Sequence, residues 1–130
     1  MLPKLELTRM AQAMAAHAGA RMGIVARNAA NADTPGYKAQ DLPDFAATYR
    51  GAETETGTEM RATRAGHLRG AGSPTPVPLV LDLPADPNGN SVSVEGEMMR
   101  AAGIRQQHDM ALAVYSRTSD IVKLALGRGR

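Results

Sequence analysis

Cysteine and tryptophan are absent from this 130-residue chain, and only four aromatic residues occur, Tyr37, Phe45, Tyr49 and Tyr115. Without cysteine, disulfide scaffolds, thiolate zinc sites and cysteine nucleophiles are excluded. No run approaches the roughly 20 apolar residues that span a bilayer, so direct membrane insertion is not expected. The first ten residues carry Lys4, Glu6 and Arg9 and form no apolar core of a leader, so a cleaved secretory signal is not expected either. Strong charge of one sign is also missing. The formal net charge is +2, from 15 basic and 13 acidic residues. No basic stripe interleaves with aromatics, which argues against a nucleic-acid partner.

The hydrophobic content of 43% is drawn mainly from alanine, valine, leucine and methionine. Burial stabilises by roughly 25 cal/mol per Å², and alanine offers little area. Such a chain buries enough surface only by pairing long helices with each other or with other chains. A richly packed α/β enzyme domain does not fit this composition.

Three segments separate: 1–37, 38–90 and 91–130. From residue 5 to about 30 the only breakers are Gly19 and Gly23. Leu7, Ala11, Met14, Ala18, Met22, Val25 and Ala29 recur at helical spacing, which predicts an amphipathic helix. It is expected to stop near Asn31, because the residue before Pro35 is pushed out of the α region and Gly36 follows. The middle segment, 38–90, holds six of the chain's 13 glycines and six of its eight prolines. It reads as an irregular, extended arm. Within it, Val77–Leu83 is compatible with a short edge strand, since Pro78 bars a central one, and Pro87–Asn90 signals a turn.

Helical spacing resumes after Ser93, a natural N-cap, with Glu95 and Glu97 in the first turn where the helix dipole favours negative charge. Val94, Met98, Leu112, Tyr115, Val122 and Leu126 lie on one row of this helix, interrupted by Arg105, His108 and Ser119. A second row holds Ile104, Ala111, Thr118, Ile121 and Ala125. A helix apolar on more than one side has more than one neighbour. Lys123 and Gly127 suit its C-terminal end. The predicted fold is mainly α: two helices, each about 40–50 Å long, pairing as a coiled-coil-like hairpin.

Chemistry-bearing constellations are scarce. His17, His67 and His108 form no metal-ligand spacing, and Asp109 points about 100° around the helix from His108. Ser116 and Ser119 lack the context of a nucleophile elbow. Gly70-Ala71-Gly72 leads into no helix pattern and makes no phosphate cradle. No catalytic residue, metal or cofactor is assigned. The methionines suit adaptable interfaces.

One stretch stands out, Asn28–Lys38, with the sequence NAANADTPGYK. Asn28 and Asn31 share a face of the last helical turn, placed to bond the carbonyls left free at a helix end. Thr34-Pro35-Gly36-Tyr37 predicts a tight turn, with proline fixing one φ and glycine permitting a positive one.

Asn28, Asn31, Thr34, Pro35, Gly36 and Tyr37 together resemble the signature of the bacterial flagellar axial proteins, the rod and hook family. The ADTPGYKA continuation, Asp44-Phe45, and the Gly89–Met98 lead into the last helix most resemble its short proximal-rod subunits. The resemblance implies a structural role, with no enzymatic activity: a drive-shaft subunit carrying torque from the membrane ring to the distal axis. Its implied partners are copies of itself, other rod proteins, an adaptor at the rod base, the ring protein and the flagellar type III export apparatus. Its implied location is the periplasmic rod of the basal body. Phe45 and Tyr49 are similar to the ends of a short element read by the export gate in this family. A different reading of the same helices is a binding module or export chaperone that captures a partner helix.

Overall fold

The computed structural model describes residues 2–49 and 76–127, so Gly70-Ala71-Gly72, His67 and most of the predicted arm lie outside the described residues. Two helices dominate it: α1, Leu2–Ala30, and α2, Val94–Ala125. Between them lie two short strands, β1 at Gln40–Asp41 and β2 at Leu79–Val80. The strands pair antiparallel, Gln40 opposite Val80 and Asp41 opposite Leu79. Residues 45–49 are also helical.

Local chemistry accounts for the helix boundaries. Pro3 sits inside the first turn of α1, where a missing N–H has no helical partner to lose, so α1 begins at Leu2 and not near residue 5. Ser93 caps α2, its side chain accepting the Gly96 N–H at 3.3 Å. Gly127 takes φ +71° just past the other end, a conformation that costs glycine nothing.

The helices run antiparallel and meet along a narrow seam. Ala11, Ala18 and Val25 are buried from α1, and Glu97, Ile104, Ala111 and Thr118 from α2. Each row advances by seven residues, the spacing of a coiled-coil seam. Ala18, Val25 and Ile104 form its apolar centre, flanked by Met22 and Ala101. Thr118 is accommodated because its hydroxyl donates to the Val114 carbonyl at 2.8 Å, one turn back.

The row that α1 covers is therefore the one through Ile104, Ala111 and Thr118. Val94, Met98, Leu112, Tyr115 and Leu126 are exposed within the single chain, and Val122 is half-buried. On α1, Val25 is buried, Met14 and Met22 are half-buried, and Leu7 and Ala29 are exposed. The buried row of α2 contains a glutamate and a threonine, so hydrophobicity alone favours the other row.

Truncation in the seam should cost much more than truncation outside it. Ile104→Ala, at a site only 2% exposed, is expected to destabilise the hairpin by about 2–4 kcal/mol. Met99→Ala, at 79% exposed, should change hairpin stability by less than about 0.5 kcal/mol. Urea titration of the two variants, followed by helical circular dichroism, checks the contrast.

Candidate functional site: the polar knot at the closed end of the hairpin

Where α1 ends, the backbone unwinds through short-range bonds. The Asn31 N–H is shared between the Arg27 and Asn28 carbonyls, and the Ala32 N–H reaches Ala29 O at 3.3 Å. Then the chain reverses. Tyr37 N donates to Thr34 O at 3.2 Å while Gly36 holds φ +74°, matching a type II turn with Pro35 leading it. The turn expected from the sequence is present at the expected residues.

The two asparagines behave differently from each other. Asn31 does cap the helix, its Nδ2 donating to Arg27 O at 2.8 Å, and its Oδ1 accepts from Thr34 Oγ1 at 3.3 Å. Asn28 turns inward instead and is fully buried. Its Nδ2 donates to Gln40 O at 2.8 Å and its Oδ1 accepts from Gln40 N at 3.2 Å. This two-point contact reproduces the pairing of one strand residue with another. Gln40 faces Val80 on its other side, so β1 lies between β2 and a side chain acting as a third strand. The same carboxamide donates to Glu97 Oε2 at 3.1 Å and accepts from Tyr37 OH at 3.4 Å.

A carboxylate buried as Glu97 is requires partners. Besides Asn28 it has Arg100, whose Nη1 donates to Glu97 Oε1. Arg100 Nε lies 3.9 Å from Asp41 Oδ2, and Arg21 grips Asp41 through Nε at 2.9 Å and Nη2 at 2.6 Å. Arg21 Nη1 also reaches Gln107 Oε1 at 3.4 Å. Two cations and two anions thus tie α1, β1 and α2 together. Burial alone would push the Asp41 carboxyl up. The hydrogen bonds from Arg21 and the Leu42 N–H, with the charges of Arg21 and Arg100, outweigh it and hold Asp41 below the usual carboxylate range. The Asp41 contact in turn raises the Arg21 guanidinium above its ordinary value.

The segment before α2 completes the knot. Asn90, 1% exposed, directs its Nδ2 at the carbonyls of Asn31, Ala32 and Thr34, at 2.9, 2.7 and 2.8 Å. Its Oδ1 accepts from Val92 N at 2.7 Å. Gly36 N donates to Asn88 O, and Ser91 N to Tyr37 O, both at 3.0 Å. Gly89, at φ +82°, stands so close that a Cβ there would lie 3.4 Å from the Gly36 Cα.

A second contact lies midway along α1. His17 is buried, with Nε2 3.0 Å from Pro43 O. Its ring meets Phe45 edge-on at 5.6 Å, and Phe45 lies 5.4 Å from Tyr49. His17 thus belongs to an intrachain contact, whereas the spacing of histidines in the sequence shows only that it sits on the helix. His108 lies 3.9 Å from Asp109, an ion pair only when the imidazole is protonated. Among the described residues no group of three or more His, Asp or Glu side chains is arranged to hold a metal ion.

Nothing in the local sequence marks Arg21, Asp41 or Arg100 as part of the knot, and Glu97 reads there only as a first-turn charge. Asn90 falls in the expected Pro87–Asn90 turn, but nothing local shows that it reaches 56–59 residues back.

The fold defines the class as a two-helix hairpin whose closed end is tied by a buried polar knot. No family model matches the chain. Relatives identify the class more closely. The chain is 35% identical to the flagellar basal body rod protein FlgB of Salmonella typhimurium, covering 72% of this chain and 73% of the relative. The Escherichia coli FlgB is 33% identical, over 89% of this chain and 90% of that protein. The Agrobacterium fabrum FlgB is 30% identical, with 82% and 81% covered. The chain belongs to the FlgB family of flagellar basal body rod proteins.

Two measurements probe the knot. Because the folded Asp41 carboxyl is held low, its contribution is complete above the ordinary carboxylate range and is lost as pH falls through its folded value. Acidification from about pH 7 to about pH 2 should therefore lower the melting temperature of the wild type more than that of Asp41→Asn. Gly36→Val forces a branched side chain into a positive φ and should cost about 2 kcal/mol or more, read as a lower unfolding midpoint. Gly36→Asn, which tolerates that region better, should cost less.

Proposed function

We propose that this rod-family chain serves as a torque-bearing subunit that folds as it assembles. Its two helices form one thin hairpin, and the surface left uncovered by that hairpin is met by neighbouring copies and other rod proteins. The observation that carries the reading is the outward side of α2. Met98 and Met99 are 68% and 79% exposed, and Leu112, Ile121, Leu124 and Leu126 are also exposed. Covering each such side chain is worth about 1.5–3 kcal/mol. A hairpin alone forgoes that gain while still ordering its backbone, at roughly 1–2 kcal/mol per residue. Neighbours supply the missing surface, and load passes through many parallel helix contacts and no single bond.

Passage through the flagellar type III export channel as an unfolded chain fits the same energetics. A marginal hairpin unfolds readily, and among the described residues no helix is long and apolar enough to cross a membrane. Phe45 and Tyr49, proposed as the ends of an export element, are half-buried in the folded chain, Phe45 against His17 and Tyr49 against Phe45. In the unfolded chain that contact is gone and both rings are available to the export gate. The rod-base adaptor and the membrane-ring protein complete the proposed set of partners, and the periplasmic rod is the proposed location.

Charging the outward side should separate hairpin from assembly. The double substitution Met98→Asp with Met99→Asp is expected to abolish incorporation into rods and swimming motility. Neither residue lies in the intrachain seam, so secretion into the medium should persist. Normal motility of that variant would overturn the proposal. Circular dichroism of the isolated chain checks folding on assembly: a marginal hairpin with a low unfolding midpoint is expected, and a highly stable, cooperative helical monomer would count against it.

A further inference from the structure

The turn at 28–41 is held in two different ways. Its two limbs are joined by its own residues, through Asn28 to Gln40 and to Tyr37. Its crest, residues 31–36, has local backbone bonds from the Asn31, Ala32, Thr34 and Tyr37 N–H groups, and three of its carbonyls and one N–H are held from outside. The carbonyls of Asn31, Ala32 and Thr34 all converge on the single amino group of Asn90, and the Gly36 N–H is taken by Asn88 O. An amino group has two hydrogens for three carbonyls, so the crest is bound by shared bonds to one side chain. The local bonds of the crest side chains, Asn31 to Arg27 and Thr34 to Asn31, are exposed and offset by competition with water.

The residues that grip the crest are themselves placed by α2. Asn90 stands four residues before Val94, and its Oδ1 is fixed by Val92 N. Glu97, in the first turn of α2, fastens Asn28 at the base of the turn. Ser91 holds the limb that leaves the crest at two points, accepting from Ala39 N through Oγ and donating its own N–H to Tyr37 O. We infer that residues 88–91 act as a template: the crest takes its fixed shape only when α2 has docked on α1. The turn is then a latch that registers closure of the hairpin. Only a closed hairpin sets the direction in which the chain leaves Tyr37 toward β1.

Hydrogen exchange on the full chain in isolated rods tests this. Asn90→Asp keeps the side-chain size and the acceptor for Val92 N but removes the amino group that faces the three carbonyls. Exchange over residues 31–39 is expected to quicken about tenfold, the scale of one lost hydrogen bond, while residues 104–118 in the seam change less than about twofold. Wild-type exchange over 31–39 would overturn the inference, because the crest would then be self-supporting. Equal acceleration of both regions would also overturn it, by showing a global loss of stability. Where Asn90→Asp does not enter rods, Ser91→Ala, which removes only the Oγ bond to Ala39 N, is judged over 37–41 by the same outcomes.

Discussion

The structure depends on the burial of one carboxamide. Asn28 is fully enclosed, and its amide edge pairs with the N–H and C=O of Gln40 as a neighbouring strand would. That single contact solves three problems together. It covers the free edge of a strand only two residues long, which could not stand on its own pairing. It turns the chain away from α1 at a fixed angle. It also presents an N–H to Glu97, so a charge in the buried row of α2 has a partner on the opposite helix. An alanine at position 28 would leave Gln40 and Glu97 with unanswered polar groups, the costly case for buried hydrogen bonding.

The charges around it explain why the hairpin closes in one register. Small seam residues such as Ala11, Ala18 and Ala111 discriminate weakly between neighbouring alignments, because one alanine resembles another. Arg21, Asp41, Glu97 and Arg100 do not slide. Shifting α2 by one turn would leave the Glu97–Arg100 and Arg21–Asp41 pairs intact but would separate Glu97 from Asn28 and Arg100 from Asp41, taking buried polar groups away from their partners across the hairpin. Buried polar groups often contribute more to specificity than to stability, and here they set the alignment of an otherwise permissive interface.

Local signals were readable in the sequence, and long-range ones were not. Ser93 and Gly127 mark the ends of α2 through their own backbone preferences, and Thr34–Tyr37 encodes its turn within four residues. The helical hairpin followed from periodicity, as did the family resemblance from eleven consecutive residues, Asn28–Lys38. The row of α2 that α1 covers was harder to read. Glu97 and Thr118 are polar, and only the partners that satisfy them in three dimensions make them suitable for a seam. Asn90 lies in a recognisable turn and Arg21 on a helix, and neither carries a local sign of its distant partners. Their meaning lies in residues that are distant in sequence, and Asn28 itself, placed in the motif, serves Gln40 and not the helix carbonyls it adjoins.

Alanine at the seam has a consequence for dimensions. Small residues such as Ala11, Ala18 and Ala111 favour close approach of helices, toward the lower end of the usual 8–10 Å axial separation, and a slender hairpin. The circumference of a tube divided by the width of its staves sets how many staves it holds. A slender unit therefore allows more copies around a ring of given circumference than a bulky one does.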